Sequence, residues 1–417
     1  MTRGGWMLTS PAGQFGTLVS NHPLALRMAT IAFLNQNITV ACIWGSFSVL
    51  VGAVELRLGV GRELSTLAIP IVNLATAIFA PITGVLAGKY SLRLIMLAGS
   101  LLSLTGFVVL ALTANYPLYL LAYGLLLGPG MAVGAILPAT LVTRWYTVDR
   151  GRALGIVCAP VVVAIVPLIS TWMLIAHGLP STYGVLASLT AVSVIANLFI
   201  MDQPPSADHA STNRDGIDAT PVTHGTSMPQ LLRSPLLWAL TIGYISSITG
   251  SIVITANMVP MAQSWGFSAT LAATLLAIQS FAGIGGTLFF GWVADRLGGT
   301  RALAILLVDA ALLWVLLLLH PPFAATAVIV GLIGVHGAGA VPVLSVALSD
   351  VFGRDAFSRA YGLVNLINLP FAVLSVPAAA MLFARTGSYA RVVLCQASFL
   401  GLGCLLVLAV RRGRRGG

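Results

Sequence analysis

Twelve apolar runs govern what this chain can fold into. They fall at roughly residues 28–54, 65–88, 92–114, 117–142, 151–176, 182–201, 236–262, 268–291, 301–319, 323–349, 358–384 and 388–410. Each is close to the length, about 20 mostly apolar residues, that a helix needs to cross a hydrocarbon core about 30 Å thick. The predicted class is therefore an all-α integral membrane protein with twelve transmembrane helices. Composition removes the soluble alternative: of 417 residues, 8% are charged and 58% hydrophobic, and the mean hydropathy is +0.98, outside the range a water-facing surface allows. The first run is too long for the apolar region of a cleavable signal and no small-residue cleavage site follows it, so residues 1–27 are expected to persist as a tail.

The net charge of +10 raises nucleic acid as a partner, but its distribution points to the bilayer. Twelve spans put both termini on one side. Arg3, Arg27, Lys89, Arg93, Arg144, Arg150, Arg152, Arg214, Arg233, Arg296, Arg301, Arg354, Arg359, Arg411, Arg412, Arg414 and Arg415 share that side, 17 of the 21 basic residues, against Arg57, Arg62, Arg385 and Arg391 on the other. Because an excess of Lys and Arg marks the cytoplasmic side, both termini and the central loop are expected in the cytoplasm, and no nucleic-acid partner is required. Trp145, Trp238 and Trp292 near inner helix ends and Trp172 and Trp265 near outer ones fit an interfacial belt. Cys42, Cys158, Cys395 and Cys404 lie in or at the ends of apolar runs without metal-ligand spacing, which indicates neither disulfides nor a metal site.

One long polar segment, 202–235, is rich in Pro, Ser, Thr and Asp and reads as a disordered cytoplasmic connector. It separates a six-span half at 28–201 from another at 236–410, with a basic tail at 411–417. Landmarks recur at an offset of 207 residues: Gly84 with Gly291, Lys89 with Arg296, Gly124 with Gly331, Gly130 with Gly337, Arg152 with Arg359, and Ala153-x-Gly155 with Ala360-x-Gly362. They cluster after the second span, within the fourth and at the start of the fifth of each half, so the halves read as repeats.

The sharpest local signal is the turn Gly291-Trp-Val-Ala-Asp295-Arg296-Leu-Gly298-Gly-Thr-Arg301. Its first-half counterpart, GVLAGKYSLR at 84–93, keeps Gly84, Lys89 and Arg93 but has Gly88 in place of the aspartate and Ser91 in place of the glycine. Glycine at a helix end lets a neighbour approach closely. An aspartate at the membrane rim can face a helix N-terminus, where unpaired amides and the dipole favour an anion. The start of the fifth span, Asp149-Arg150-Gly151-Arg152, is the natural target, so Gly291, Asp295, Arg296, Arg150 and Arg152 are the expected gating residues. A solvated hairpin that merely obeys the charge rule is the alternative.

This layout resembles the major facilitator superfamily, whose turn has the pattern G-x-x-x-D-R/K-x-G-x-x-R/K and whose two pseudo-symmetric six-helix bundles rock about a central site. Within it, RWYTVDRGRALGIVCA at 144–159 and CIWGSFSVLVGAVELRLGVGRELS at 42–65 are similar to segments of the monocarboxylate transporters and the oxalate:formate antiporters. The resemblance implies a transmembrane carrier. In both relatives an arginine of the eighth helix, four residues before the glycine of the turn, binds substrate carboxylate; Thr287 stands there in this chain. The monocarboxylate transporters' aspartate falls at Gly283, and 360–384 carries no charge to match the antiporters' lysine in the eleventh helix. Any acid is therefore held by neutral groups.

Polar side chains in mid-membrane are costly unless they pair or line a cavity. They gather on the helices that line the cavity in this superfamily: Asn35, Gln36 and Asn37 on the first, Asn73 on the second, Tyr123 on the fourth, Tyr244 and Asn257 on the seventh, Gln279 and Thr287 on the eighth, Asn365 and Asn368 on the eleventh. These are the candidate substrate ligands, with glue between helices as the alternative for each. His336, the one histidine deep in a span, is the candidate proton carrier and a further substrate contact, against a neutral histidine bonded to a carbonyl. Asp309 is the other deep ionisable group, on a helix expected at the periphery; its partner is not readable from sequence. The glycines around His336 (Gly331, Gly334, Gly337, Gly339) and in the fourth span (Gly124, Gly128, Gly130, Gly134) are expected to serve close packing.

The sequence thus predicts a monomeric secondary transporter in a bacterial inner membrane, moving a small organic solute, a weak acid or related neutral metabolite, with proton coupling. Its expected partners are that solute, protons and the lipid bilayer. Efflux of hydrophobic drugs is the competing transport reading, opposed by Gly124 where proton-driven drug exporters carry arginine. A membrane enzyme or receptor is a different class; no HExxH motif or acidic metal cluster appears, and no catalytic residue, metal or cofactor is assigned.

Overall fold

The computed structural model describes residues 23–146, 149–203 and 227–413. Most of the expected N-terminal tail, connector and C-terminal tail (1–22, 204–226, 414–417) lies outside the described residues. Within them the regular structure is helical and no strand occurs. Nine helices are long and apolar enough to span a membrane, or ten if the bent pair Pro23–Gly45 and Val49–Leu58, at 55°, forms one span.

Twelve spans follow from two glycines. Arg150–Asn197 and Phe323–Thr386 each contain one residue with non-helical geometry, Gly178 (φ 77, ψ 178) and Gly353 (φ 75, ψ 175). Positive φ is ready only for glycine, and a straight helix of 64 residues would run about 96 Å, three times the hydrocarbon core. Each glycine therefore joins two spans. The helices are α1 (23–58), α2 (Glu63–Leu86), α3 (Leu92–Leu112), α4 (Tyr116–Trp145), α5 (150–177), α6 (179–197), α7 (Pro235–Ser264), α8 (Ala269–Leu297), α9 (Gly299–Leu319), α10 (323–352), α11 (354–386) and α12 (Ala390–Gly413).

The predicted runs locate every span and misplace several ends. α1 starts at Pro23 rather than near 28, and α8 continues through the charged turn to Leu297, because a helix needs no apolar side chains once it reaches the interface. The connector is also not structureless throughout: a short helix, Met228–Leu232, is opened by a capping box in which Ser227 and Gln230 satisfy each other's backbone amides.

Within α1–α6, Asn35 donates to Ser100 Oγ (3.3 Å) and Asn197 Oδ1 (3.2 Å), tying α1, α3 and α6 together. Within α7–α12, Gln396 donates to the Ser246 carbonyl (2.7 Å), tying α12 to α7. Glycines of α4 and α10 are packing positions as expected: a Cβ on Gly334 would strike the Gln279 backbone, and one on Gly130 the Ser103 hydroxyl. Three spans of the first half depart from regular helix. α1 and α4 carry π-helical turns at Ala41–Gly45 and Ala122–Leu127, a distortion often found at functional positions, and α5 is interrupted between Cys158 and Val161.

Candidate functional site

The arginine-rich end is where the two halves join. The first segment of α5, Arg150–Cys158, begins after Asp149 in a left-handed conformation (φ 54), and no side chain of its own caps it. Its first amides are therefore open to an outside acceptor. Asp295, in the last turn of α8, supplies it: Oδ1 accepts the Gly151 N–H and Oδ2 the Arg152 N–H at 2.8 Å. The carboxylate thus caps a helix of the other half with two charge-assisted bonds. Glycine is required on both sides, since a Cβ on Gly151 would meet the Gly291 carbonyl and one on Gly291 the Gly151 carbonyl.

The arginines go elsewhere. Arg150 Nη1 bonds Ser349 Oγ and lies 3.8 Å from Asp350 Oδ1, at the end of α10. Arg152 Nη1 pairs with Asp149 at 3.1 Å, and Arg296 stacks over Trp292 of its own helix at 4.5 Å. Asp295 thus meets the helix amides expected of it, while the side chains of Arg150 and Arg152, also expected near it, pair with Asp350 and Asp149. Ser349 and Asp350 were not singled out in the sequence; nothing at the 207-residue offset marks them.

The related contact between α2 and α11 lacks a carboxylate at the matching place. Ser358 Oγ donates to the Gly84 carbonyl at 3.1 Å, a Cβ on Gly362 would meet the Ala80 carbonyl, and a Cβ on Gly88 would lie 2.9 Å from Arg359 Nη2. Asp202 instead caps the adjacent α3, accepting from Leu92 N (3.0 Å) and Arg93 N (3.2 Å), while Asp350 caps α9 through Gly299 N (3.2 Å).

The candidate ligands are spread over several environments. Thr287 is buried, its hydroxyl donates to the Ile284 carbonyl (2.9 Å), and its own carbonyl is what a Cβ on Gly155 would strike; it sits in the α5–α8 contact. Asn35 belongs to the α1–α3–α6 network described above. Both ends of the Asn37 amide bond the α5 backbone, Nδ2 to Val157 O (3.1 Å) and Oδ1 from Val162 N (3.3 Å). Asn257 and Asn365 donate to carbonyls one turn back, Val253 and Tyr361, each at 2.9 Å. Gln279 donates to Thr255 (2.8 Å). Gln279 Oε1, Gln36 Oε1 and Asn368 Oδ1 are buried without a protein partner, and Asn73 is half-buried. Tyr123 packs with Tyr119 (5.1 Å between centroids) and Phe47 (6.0 Å) inside the first half.

Tyr244 has company that the sequence did not suggest. Its phenol lies within electrostatic reach of Tyr361 and of Cys158 at the α5 interruption, and Tyr361 in turn contacts Ser345. These four side chains come from α5, α7, α10 and α11, both halves of the protein.

His336 faces α9. Its Nε2 lies 2.6 Å from Asp309 Oδ2, at ion-pair distance though outside hydrogen-bond angles, while Nδ1 contacts the Leu332 carbonyl and the ring packs on Phe290 at 5.1 Å. The partner missing for Asp309 was thus the other deep ionisable group already noted, which the cost of an isolated charge in hydrocarbon makes reasonable.

Comparison with known proteins agrees with this architecture. The Major Facilitator Superfamily profile matches residues 34–255 and again 240–416. The oxalate:formate antiporter of Oxalobacter formigenes is 23% identical over 325 residues, covering 76% of this chain and 75% of that protein. Monocarboxylate transporter 13 of Bos taurus is 24% identical over 337 residues, covering 79% and 76%. Among solved structures, the transporter FucP in its outward conformation superposes with a TM-score of 0.73 at 12% identity, covering 92% of this chain and 97% of that one. With a repeated family match along nearly its whole length, twelve spans in two six-helix bundles and the glycine–aspartate turn docked as described, the chain belongs to the Major Facilitator Superfamily of membrane transporters.

Proposed function

We propose that this transporter carries a weak organic acid, or a related neutral metabolite, by alternating access coupled to protons, and that the structure is its outward-facing state. The observation that carries the reading is the Asp295 carboxylate of one bundle capping the α5 amides of the other. Such a contact closes the arginine-rich end and must break for that end to open. The positive-inside rule makes this end cytoplasmic, with both termini there, in a bacterial inner membrane.

The acid reading rests on the relatives, an oxalate:formate antiporter and a monocarboxylate transporter. Thr287 in place of their arginine argues for neutral donors. Gln36, Gln279 and Asn368 keep buried oxygens without a protein partner and, with Tyr244 and Asn73, are the proposed ligands, with Tyr361 and Cys158 added. His336 and Asp309 form the proposed proton site. Both side chains can carry a proton, and the bundle movement that changes their surroundings is the proposed step for its exchange.

Reconstitution into liposomes with a panel of radiolabelled monocarboxylates, dicarboxylates, sugars and hydrophobic cations, with and without an inward proton gradient, tests the reading. Uptake of a monocarboxylate stimulated by the gradient is expected. Transport confined to bulky apolar cations would overturn it in favour of efflux.

A further inference from the structure

The interruption of α5 has a specific local cause. Pro160 has no N–H to give, and the residue before a proline is pushed out of helical geometry; Ala159 accordingly adopts φ −62, ψ 121 and Pro160 φ −81, ψ 52. In a continuous helix the Val161 N–H would bond the Val157 carbonyl and the Val162 N–H the Cys158 carbonyl. Here Val161 N turns to Ala159 O at 2.8 Å. Left alone, the Val157 carbonyl and Val162 amide would be unpaired in a setting where no bulk water replaces the partner. The Asn37 side chain satisfies both, donating to Val157 O and accepting from Val162 N, and it is almost wholly buried, at 2% exposure.

The two segments on either side of the break differ in their further neighbours, although Asn37 of α1 reaches both. The inner one, Arg150–Cys158, lies against α8 of the other bundle through Asp295, Gly291 and the Thr287 carbonyl. The outer one lies against α1 of its own bundle, where a Cβ on Gly45 would touch Val163 O (3.4 Å) and Pro167 Cδ (3.5 Å). Pseudo-symmetry supplies an internal control. At the 207-residue offset, Pro160 corresponds to Ile367 and Asn37 to Tyr244, and α11 runs without non-helical geometry through residues 354–386. Only the first-half member of the pair combines the proline break with an asparagine across from it.

We propose that Ala159–Pro160 is a hinge and that Asn37 is its positioning residue, holding the nine-residue inner segment of α5 in register for docking on α8. When the gate opens, this segment swings as a unit while the rest of α5 stays with α1. The inference does not depend on substrate identity, so its test uses none.

Cys158, partly exposed at the break, is a native reporter once Cys42, Cys395 and Cys404 are replaced by alanine. In that background, N-ethylmaleimide labelling of Cys158 in native membranes is expected to accelerate about fivefold in Asn37→Ala, the factor equivalent to one net buried hydrogen bond. Adding Pro160→Ala should return the rate toward the starting value, because a continuous helix pairs its own amides and makes the asparagine dispensable. An asparagine acting elsewhere than at the break would not be rescued by straightening the helix. Equal labelling with and without Asn37, or no slowing on adding Pro160→Ala, overturns the hinge. Should Asn37→Ala fail to yield monodisperse protein, Pro160→Ala alone decides: labelling slower than the reference supports the hinge, and an unchanged rate overturns it.

Discussion

Asp295 concentrates the proposed gate into one side chain. Its two oxygens each accept a backbone amide of the opposite bundle, and hydrogen bonds to a charged group contribute about 1.5–3 kcal/mol each. Asp295→Asn keeps the shape, loses the charge and can accept through one oxygen only. Flux of the transported solute is expected to fall about tenfold, the equivalent of one such bond, with its half-saturating concentration changed less than about twofold. Equal flux at matched expression would place Asp295 outside the gate. His336 and Asp309 make the second residue-scale case. If their shared proton couples to transport, His336→Ala and Asp309→Asn should both abolish stimulation by an inward proton gradient while leaving uptake at equal pH measurable in liposomes. Undiminished stimulation in either variant removes the pair from the mechanism.

At the scale of elements, close backbone approach between α5 and α8 makes the closed contact possible. A Cβ on Gly155 would run into the Thr287 carbonyl, and overpacking a tight contact costs about 1–3 kcal/mol. Gly155→Ala is expected to separate the inner ends of the two helices, read as a longer distance between spin labels placed there. Gly184→Ala in α6, where nothing lies within 4 Å, should leave the distance unchanged and serves as the control. The same geometry explains Thr287: an arginine there would begin inside a packed contact and carry an insertion cost of about 2.5–3.5 kcal/mol.

For the whole molecule, the relevant quantity is the balance between states open to opposite sides. The two inter-bundle contacts are unequal, one holding Asp295 and the other having Gly88 beside the flexible end of Arg359. Gly88→Asp would place a carboxylate next to that guanidinium and the start of α11. It is expected to favour the closed inner end, lowering cytoplasmic thiol labelling of cysteines introduced above the gate. Labelling unchanged from the parent would mean that the asymmetry has no bearing on the state populated.

Apolar runs and the placement of charge were enough to foresee twelve spans and two halves, since crossing hydrocarbon imposes length and polarity on each segment independently of its neighbours. The docking of the glycine–aspartate turn was legible for a similar reason: glycines and a carboxylate at a helix end have few uses there. Which polar groups meet was not legible. Lipid tails are as apolar as a packed helix face, so spans lack the amphipathic stripe that marks the inward side of a soluble helix. Asn37 and Asn368 look alike in sequence, yet one holds a broken helix and the other keeps a buried oxygen without a protein partner. His336 and Asp309 likewise stood as two isolated ionisable groups until the packing of α9 on α10 brought them to 2.6 Å. Segment identity and number were set locally by the chain; partnership was decided by tertiary structure, because it depends on how helices distant in sequence rotate and pack against one another.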